Sequence, residues 1–215
     1  MTRKLGIRAH IGRRALVLGG LVGLAGLPPL AAALDRTPPQ TEGPFYPDLL
    51  PLDLDADLVR VSGKPAQAMG TVAHVLGRVT DTDGRPIAGA LVEIWQCDAN
   101  GRYLATGDRR DPPPRDGNFQ GFGKLITGAD GAYRFRTIRP VIYPGRAPHI
   151  HFAVRAPGRR DLITQLYIAG EPANARDGVF RGLSPAQQAL VAAAFRPAPE
   201  LEPGAERADW TIVVG

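Results

Sequence analysis

The chain has 215 residues, of which 44% are hydrophobic and 7% aromatic, with 26 glycines and 21 prolines. That length carries one ordinary domain with a hydrophobic core, the Gly and Pro content argues for a turn-rich β fold over a helical bundle, and the recurring apolar runs argue against disorder. The formal charge is +5, yet Arg3, Lys4, Arg8, Arg13 and Arg14 all precede the first acid, Asp35, and the remainder sets 21 basic residues against 21 acidic ones; no basic stripe is left to hold nucleic acid.

Residues 1–33 account for the excess charge. A basic stretch, "TRKLGIRAHIGRR", leads into "ALVLGGLVGLAGL", an apolar run of about 13 residues, and then "AAAL". The run is short for a membrane span and of signal-peptide length. Arg13-Arg14 ahead of it resembles a twin-arginine signal. The expectation is export to the periplasm or outside, cleavage near Ala33, and no stable membrane span in the mature form; the alternative is a signal anchor that stays attached.

Residues 34–70, rich in Pro and Asp, read as an extended arm over a core. From 71 to 215 the pattern is a β-sandwich. "TVAHVLGRVT", "ALVEIWQ", "FGKLIT", "YRFRTI", "HIHFAV", "LITQLYIAG" and "DWTIVV" are short apolar or β-branched runs separated by turn residues. "GADG" between the third and fourth signals a hairpin. The fold class expected is all-β, a sandwich of mostly antiparallel strands with an N-terminal arm and one short helix near the C-terminus. That helix is "SPAQQALVAAAF", with Ser184 as N-cap, Pro185 in the first turn and Gln187 closing a capping box. Cys97 is the single cysteine, so no intramolecular disulfide forms, and a small buried residue at a strand end is its expected role. His74 and Trp95 are read as structural.

His149 and His151 lie two apart on a strand and therefore face the same side. Alone, such a pair is weak evidence for two metal ligands and reads more readily as a packed or surface strand. Tyr143 lies six residues earlier across "PGRAP", and Tyr103 ends "WQCDANGRY" just past another strand. A phenol, with its pKa near 10, ligates poorly at neutral pH unless a trivalent ion stabilises the phenolate. Hard oxygen anions with imidazoles suit ferric iron better than zinc or copper(I). Taken singly, each tyrosine also reads as an ordinary rim residue, Arg146 as a loop charge and Gln165 as a strand polar group.

Four blocks in order, "TEGPFYP", "GRVTDTDGRPIAGALVEIWQCDANGRY", "GAYRFRTIRPVIYPGRAPHIHF" and "LITQLY", resemble the intradiol ring-cleavage dioxygenases. The resemblance implies Fe(III) held by Tyr103, Tyr143, His149 and His151 on a β-sandwich. It implies that Tyr143 gives way to substrate, that Arg146 stabilises negative charge on the ring, and that Gln165 binds oxygens near it. It places Gly43, Pro44 and Phe45 along the substrate pocket. The substrates implied are O2 and a small aromatic diol of the protocatechuate, catechol or hydroxyquinol class, opened to a muconate-type diacid; a homo-oligomer is compatible with it. In the protocatechuate enzymes the pocket element and the ligands come from two related chains, whereas here both sit on one. The competing reading is an exported β-sandwich binding module, which the same "GRVTDTDGRPIAGALVEIW" block also resembles but which lacks the ligand set.

Overall fold

The computed structural model describes residues 1–2, 33–110 and 113–215. The expected export segment therefore lies outside the described residues, apart from its first two and its last. The described residues from Ala33 to Gly215 belong to one unit.

Its strands and helices follow in chain order. They are β1 (Val72–Thr80), β2 (Leu91–Trp95), β3 (Phe122–Ile126), β4 (Ala132–Ile138), β5 (His149–Arg155) and β6 (Leu162–Ile168), then a 3₁₀ turn (Pro172–Arg176), α1 (Gly178–Arg181) and α2 (Pro185–Leu190). Four short strands close the chain: β7 (Ala192–Ala193), β8 (Arg196–Pro197), β9 (Glu206–Asp209) and β10 (Ile212–Val213). In one sheet β1 pairs antiparallel with β4 and parallel with β9 and β10, and β8 pairs β9. The other sheet runs β3-β2-β5-β6-β7. Antiparallel pairs predominate, and the all-β sandwich expected from the sequence is the fold observed.

The core lies between the sheets. Val75 and Phe135 from one meet Ile94, Phe152 and Leu166 from the other, all fully buried. Burying a side chain of this size contributes roughly 1.5–3 kcal/mol.

Two local expectations are corrected. "GADG" makes a turn, with the Gly131 amide donating to the Gly128 carbonyl, but β3 pairs β2 whereas β4 pairs β1. The turn is a corner between sheets and not a hairpin. The helix stops at Leu190, well short of Phe195. Ser184 and Gln187 do form the capping box, but Ala192 and Ala193 leave the helix to extend the β6 edge, where Tyr167 donates its amide to the Val191 carbonyl. Pairing at the sheet edge overrides the helix propensity of alanine.

The arm contains no helix and no regular strand, and it binds across the sheet edges. Thr37 donates its amide to the Val213 carbonyl and Gln40 to that of Ile163, while Leu58 and Val59 bury completely.

Candidate metal centre

The period of two along β5 divides its side chains between two environments. Ile150, Phe152 and Val154 enter the core between the sheets. His149, His151 and Ala153 point to the outer face of the same sheet. Registration then lays a row across three strands, with Trp95 opposite His151 on β2 and Gln165 opposite it on β6. Tyr167 lies opposite His149. The row is outside the sandwich interior, yet His149 and His151 are only 1% and 2% exposed. The cover is the arm, the loops after β2 and β4, and the segment after β6.

Tyr103 arrives on the loop after β2. Its amide donates to the buried Asp108 carboxylate at 2.7 Å, and its ring is stacked by Phe45 of the arm, centroids 4.8 Å apart. Tyr143 and Arg146 flank a tight turn closed by the Arg146 amide donating to the Tyr143 carbonyl at 3.0 Å. Pro144 fixes the first central position and Gly145 takes φ +82° at the second, the type II pattern. This turn puts the phenol and the guanidinium side by side, Arg146 Nη1 donating to Tyr143 Oη at 3.4 Å.

Three donor atoms converge. His149 Nε2 and His151 Nε2 lie 3.0 Å apart, and Tyr103 Oη is 3.2 Å from the second and 3.5 Å from the first. The Tyr143 ring stands 5.5 Å from that of Tyr103 and 5.6 Å from that of His149. His149 Nδ1 donates to the Ala147 carbonyl at 2.7 Å, so its Nε2 turns a lone pair into the cluster. Burial, and then the Arg146 charge, drops the His149 pKa to about 4. Burial, with the His149 and Arg146 charges, holds His151 well below its usual value. Both imidazoles are neutral at pH 7. Burial likewise lifts the Tyr103 phenol well above 10, and burial raises that of Tyr143 against the pull of Arg146.

Arg146 is gripped on all sides. Nε donates to Asp177 at 2.9 Å, and Nη2 donates to Gln165 Oε1 at 2.5 Å and to Tyr167 Oη at 3.1 Å. Burial disfavours its charge, but Tyr143, Tyr167 and Asp177 together raise its pKa. The arm fixes Gln165 in turn: its amide donates to Gln40 Oε1 at 2.9 Å and its Nε2 to the Thr41 carbonyl at 2.8 Å.

The structure thus brings Tyr103, Tyr143, Arg146, His149, His151 and Gln165 together. Gly43 faces the His151 ring, whose Cε1 lies 3.6 Å from where a Cβ would stand; Phe45 covers Tyr103, and Pro44 between them is exposed. Trp95, assigned to structure, is also a wall of the site, stacked on His151 at 4.8 Å. Sequence reasoning missed Tyr167, which two-residue alternation from Gln165 signals, and Asp177, which carries no periodic signal. It also missed Arg110, whose guanidinium lies over the Tyr143 ring at 5.2 Å while pairing with Asp108. Cys97 is buried and its thiol is pushed up to about 12, chiefly by that burial.

Among the described residues, no three His, Cys, Asp or Glu side chains gather as a ligand group. A first-row ion bound at about 2.0–2.1 Å keeps its ligands about 3 Å apart, which is the spacing of the two imidazole nitrogens and the Tyr103 oxygen. The mixed phenol and imidazole set fits a ferric ion, since a buried phenol ionises near neutral pH only against concentrated positive charge.

Residues 41–211 match the Dioxygenase family model. The chain is 43% identical over 138 residues to the protocatechuate 3,4-dioxygenase beta chain of Burkholderia cepacia, covering 60% of this chain and 58% of that one. It is 36% identical over 149 residues to a hydroxyquinol 1,2-dioxygenase of Corynebacterium glutamicum, covering 60% and 45%. It spans about half the length of the curated relatives it matches. Among solved structures, the dioxygenase domain of a dioxygenase carbohydrate-binding protein fusion from Streptomyces sp. SirexAA-E superposes with TM-score 0.63 at 35% identity, over 83% of this chain and 97% of that one. The extent of the family match, carried on this sandwich, shows that the chain belongs to the intradiol ring-cleavage dioxygenases.

Proposed function

We propose that this chain holds a ferric ion through Tyr103, Tyr143, His149 and His151 and opens the ring of a catechol-type substrate between its two hydroxyl carbons. Both atoms of O2 enter the product, a muconate-type diacid. The observation that carries the reading is the convergence of two imidazole Nε2 atoms and a phenol oxygen within 3.0–3.5 Å. A ferric ion there supplies a Lewis acid that draws electron density from a bound diol and makes the ring reactive toward O2.

The protein's own groups do the rest. Tyr143 is the half-buried donor of the four, which supports the role the family resemblance gives it: it would give way to substrate, its phenolate oxygen taking a diol proton. Arg146 keeps its charge at any working pH and sets it beside the opening ring, where it favours the negative charge that develops there. Asp177, Gln165 and Tyr167 hold the guanidinium in place. Trp95, Phe45 and the arm exclude water around the buried donors. A binding module without catalysis has no use for this donor set. The basic and apolar N-terminal sequence supports export of the protein, and mass spectrometry of the exported form tests cleavage near Ala33.

Protein purified after iron-replete expression should contain one iron per chain and absorb visible light through tyrosinate-to-iron charge transfer. It should consume O2 with catechol, 3,4-dihydroxybenzoate or hydroxyquinol. Colourless protein that takes up no iron would sink the proposal.

A further inference from the structure

Tyr103, His149 and His151 are each no more than 2% exposed, whereas Tyr143 and Arg146 beside them are half-buried. Those two residues line a cavity of about 370 Å³. Its apolar wall is Ile142, Pro144, Ala147 and Ala173, and its remaining charged groups are Arg176 and Asp177. The volume lies in the range of roughly 300–1,000 Å³ common to small-ligand sites and suits one substituted ring.

The charges in this cavity do not cancel. Asp177 is spent: Oδ1 accepts from the Val179 and Phe180 amides, Oδ2 from Arg146 Nε and the Ala147 amide, and its side chain is 0% exposed. Asp177 therefore balances Arg146. Arg176 enters no ion pair among the described residues and stands exposed at the rim. Its backbone is well anchored. It ends the 3₁₀ turn, which Glu171 caps and Asn174 ties to the Ile168 carbonyl at 2.9 Å, and its neighbour is the clamped Asp177.

We propose that Arg176 makes this site select a catechol that carries a carboxylate. The ring lies on the apolar wall, the diol turns toward Tyr143, and the carboxylate meets the Arg176 guanidinium, whose planar fork matches it. The inference rests on the ring-cleavage reading above and adds the substrate class that the family resemblance leaves open.

The test compares 3,4-dihydroxybenzoate with 4-methylcatechol, close in shape but uncharged, on the iron-loaded protein. The wild type should favour the acid in kcat/KM by about tenfold or more, and Arg176→Gln should cut that ratio about tenfold, mainly through KM. Arg176→Glu should depress it further. A ratio unmoved by either variant overturns the proposal while leaving ring cleavage intact. Calorimetry on metal-free protein with 4-hydroxybenzoate and 4-methylphenol reads the same contrast without turnover. Tighter binding of the acid that disappears in Arg176→Gln supports the assignment even if neither diol is consumed, an outcome that would overturn the ring-cleavage reading alone.

Discussion

Trp95 lies flat on the imidazole of His151, ring centroids 4.8 Å apart and planes within 10°. The contact matters because His151 Nδ1 is buried without a hydrogen-bond partner among the described residues, whereas His149 Nδ1 is fixed by the Ala147 carbonyl. Stacking, in place of a hydrogen bond, orients this ring. Trp95→Leu should lower iron retention about 10–100-fold, the usual effect of losing a group that orients a ligand. It should also destabilise the fold by about 3 kcal/mol through the cavity left. Iron per chain after dialysis against a chelator, set beside a thermal melt, separates the two effects; full retention would show that the stack is passive.

Direct removal of donors gives a sharper result. Tyr103→Phe and His151→Ala each delete one member of a cluster spaced at 3.2 Å. Purified protein should be iron-poor and colourless in both cases. Tyr103→Phe should melt near the wild type, because its ring still packs under Phe45.

Asp177→Asn tests the grip on Arg146. The carboxylate accepts four hydrogen bonds in a site with no exposure, and the substitution turns an NH2 group toward some of those donors. Breaking a buried pair in this way costs about 3–5 kcal/mol. The melting temperature should fall, and kcat should fall beyond what loss of folded protein explains. Titration of active protein by its iron absorbance provides the correction.

His74 sets a pH dependence remote from the site. It is buried on the outer face of the first sheet, facing Arg134 and Arg136 of β4, Glu202 of the preceding loop, and Arg207 opposite it on β9. Burial, reinforced by the two β4 arginines, lowers its pKa below 6.5 against the pull of Glu202. The unfolded chain therefore binds this proton first. Stability is full above pH 6.5 and falls as pH drops below it, until the folded protein also takes up the proton. Denaturation midpoints at pH 7.5, 6.5 and 5.5 should decline less in His74→Gln than in the wild type over the lower interval.

Gly77 marks where the sandwich tolerates no side chain. A Cβ there would stand 1.7 Å from the Trp210 carbonyl oxygen and 2.7 Å from Tyr133 Oη, which are themselves hydrogen-bonded at 2.6 Å. Gly77→Ala should cost about 3 kcal/mol or more, at the upper end of overpacking effects. Gly117→Ala, with nothing within 4 Å among the described residues, should stay within about 0.5 kcal/mol in a denaturant titration.

The strands were legible because β-branched and apolar runs between Gly, Pro and Asp turns mark them one by one. Which sheet each strand joins was not, since pairing is a long-range property: "GADG" has hairpin chemistry, yet it spans the two sheets. The helix was overextended because Val191 to Ala193 favour helix locally but are captured by β6. At the site, alternation alone put His149 and His151 on one face, sequence spacing and ligand chemistry drew attention to Tyr143 and Tyr103, and family resemblance gave these two their roles and added Arg146 and Gln165. Asp177 was invisible because nothing in "ARDGVF" announces that its carboxylate will reach back 31 positions to Arg146.

The donor row stands on the outside of its sheet and is closed over by loops and by the arm, of which Leu58 and Val59 reach the inter-sheet core while residues 41–46 do not. Descendants of this chain could therefore exchange the cover without rebuilding the frame. On the proposed reading, a changed residue at 41–46, 142–145 or 173–176 would alter which molecules are admitted, while Val75, Phe135 and Phe152 go on meeting as before. Most of the inter-sheet core is thereby separate in sequence from the loops that cover the donor row.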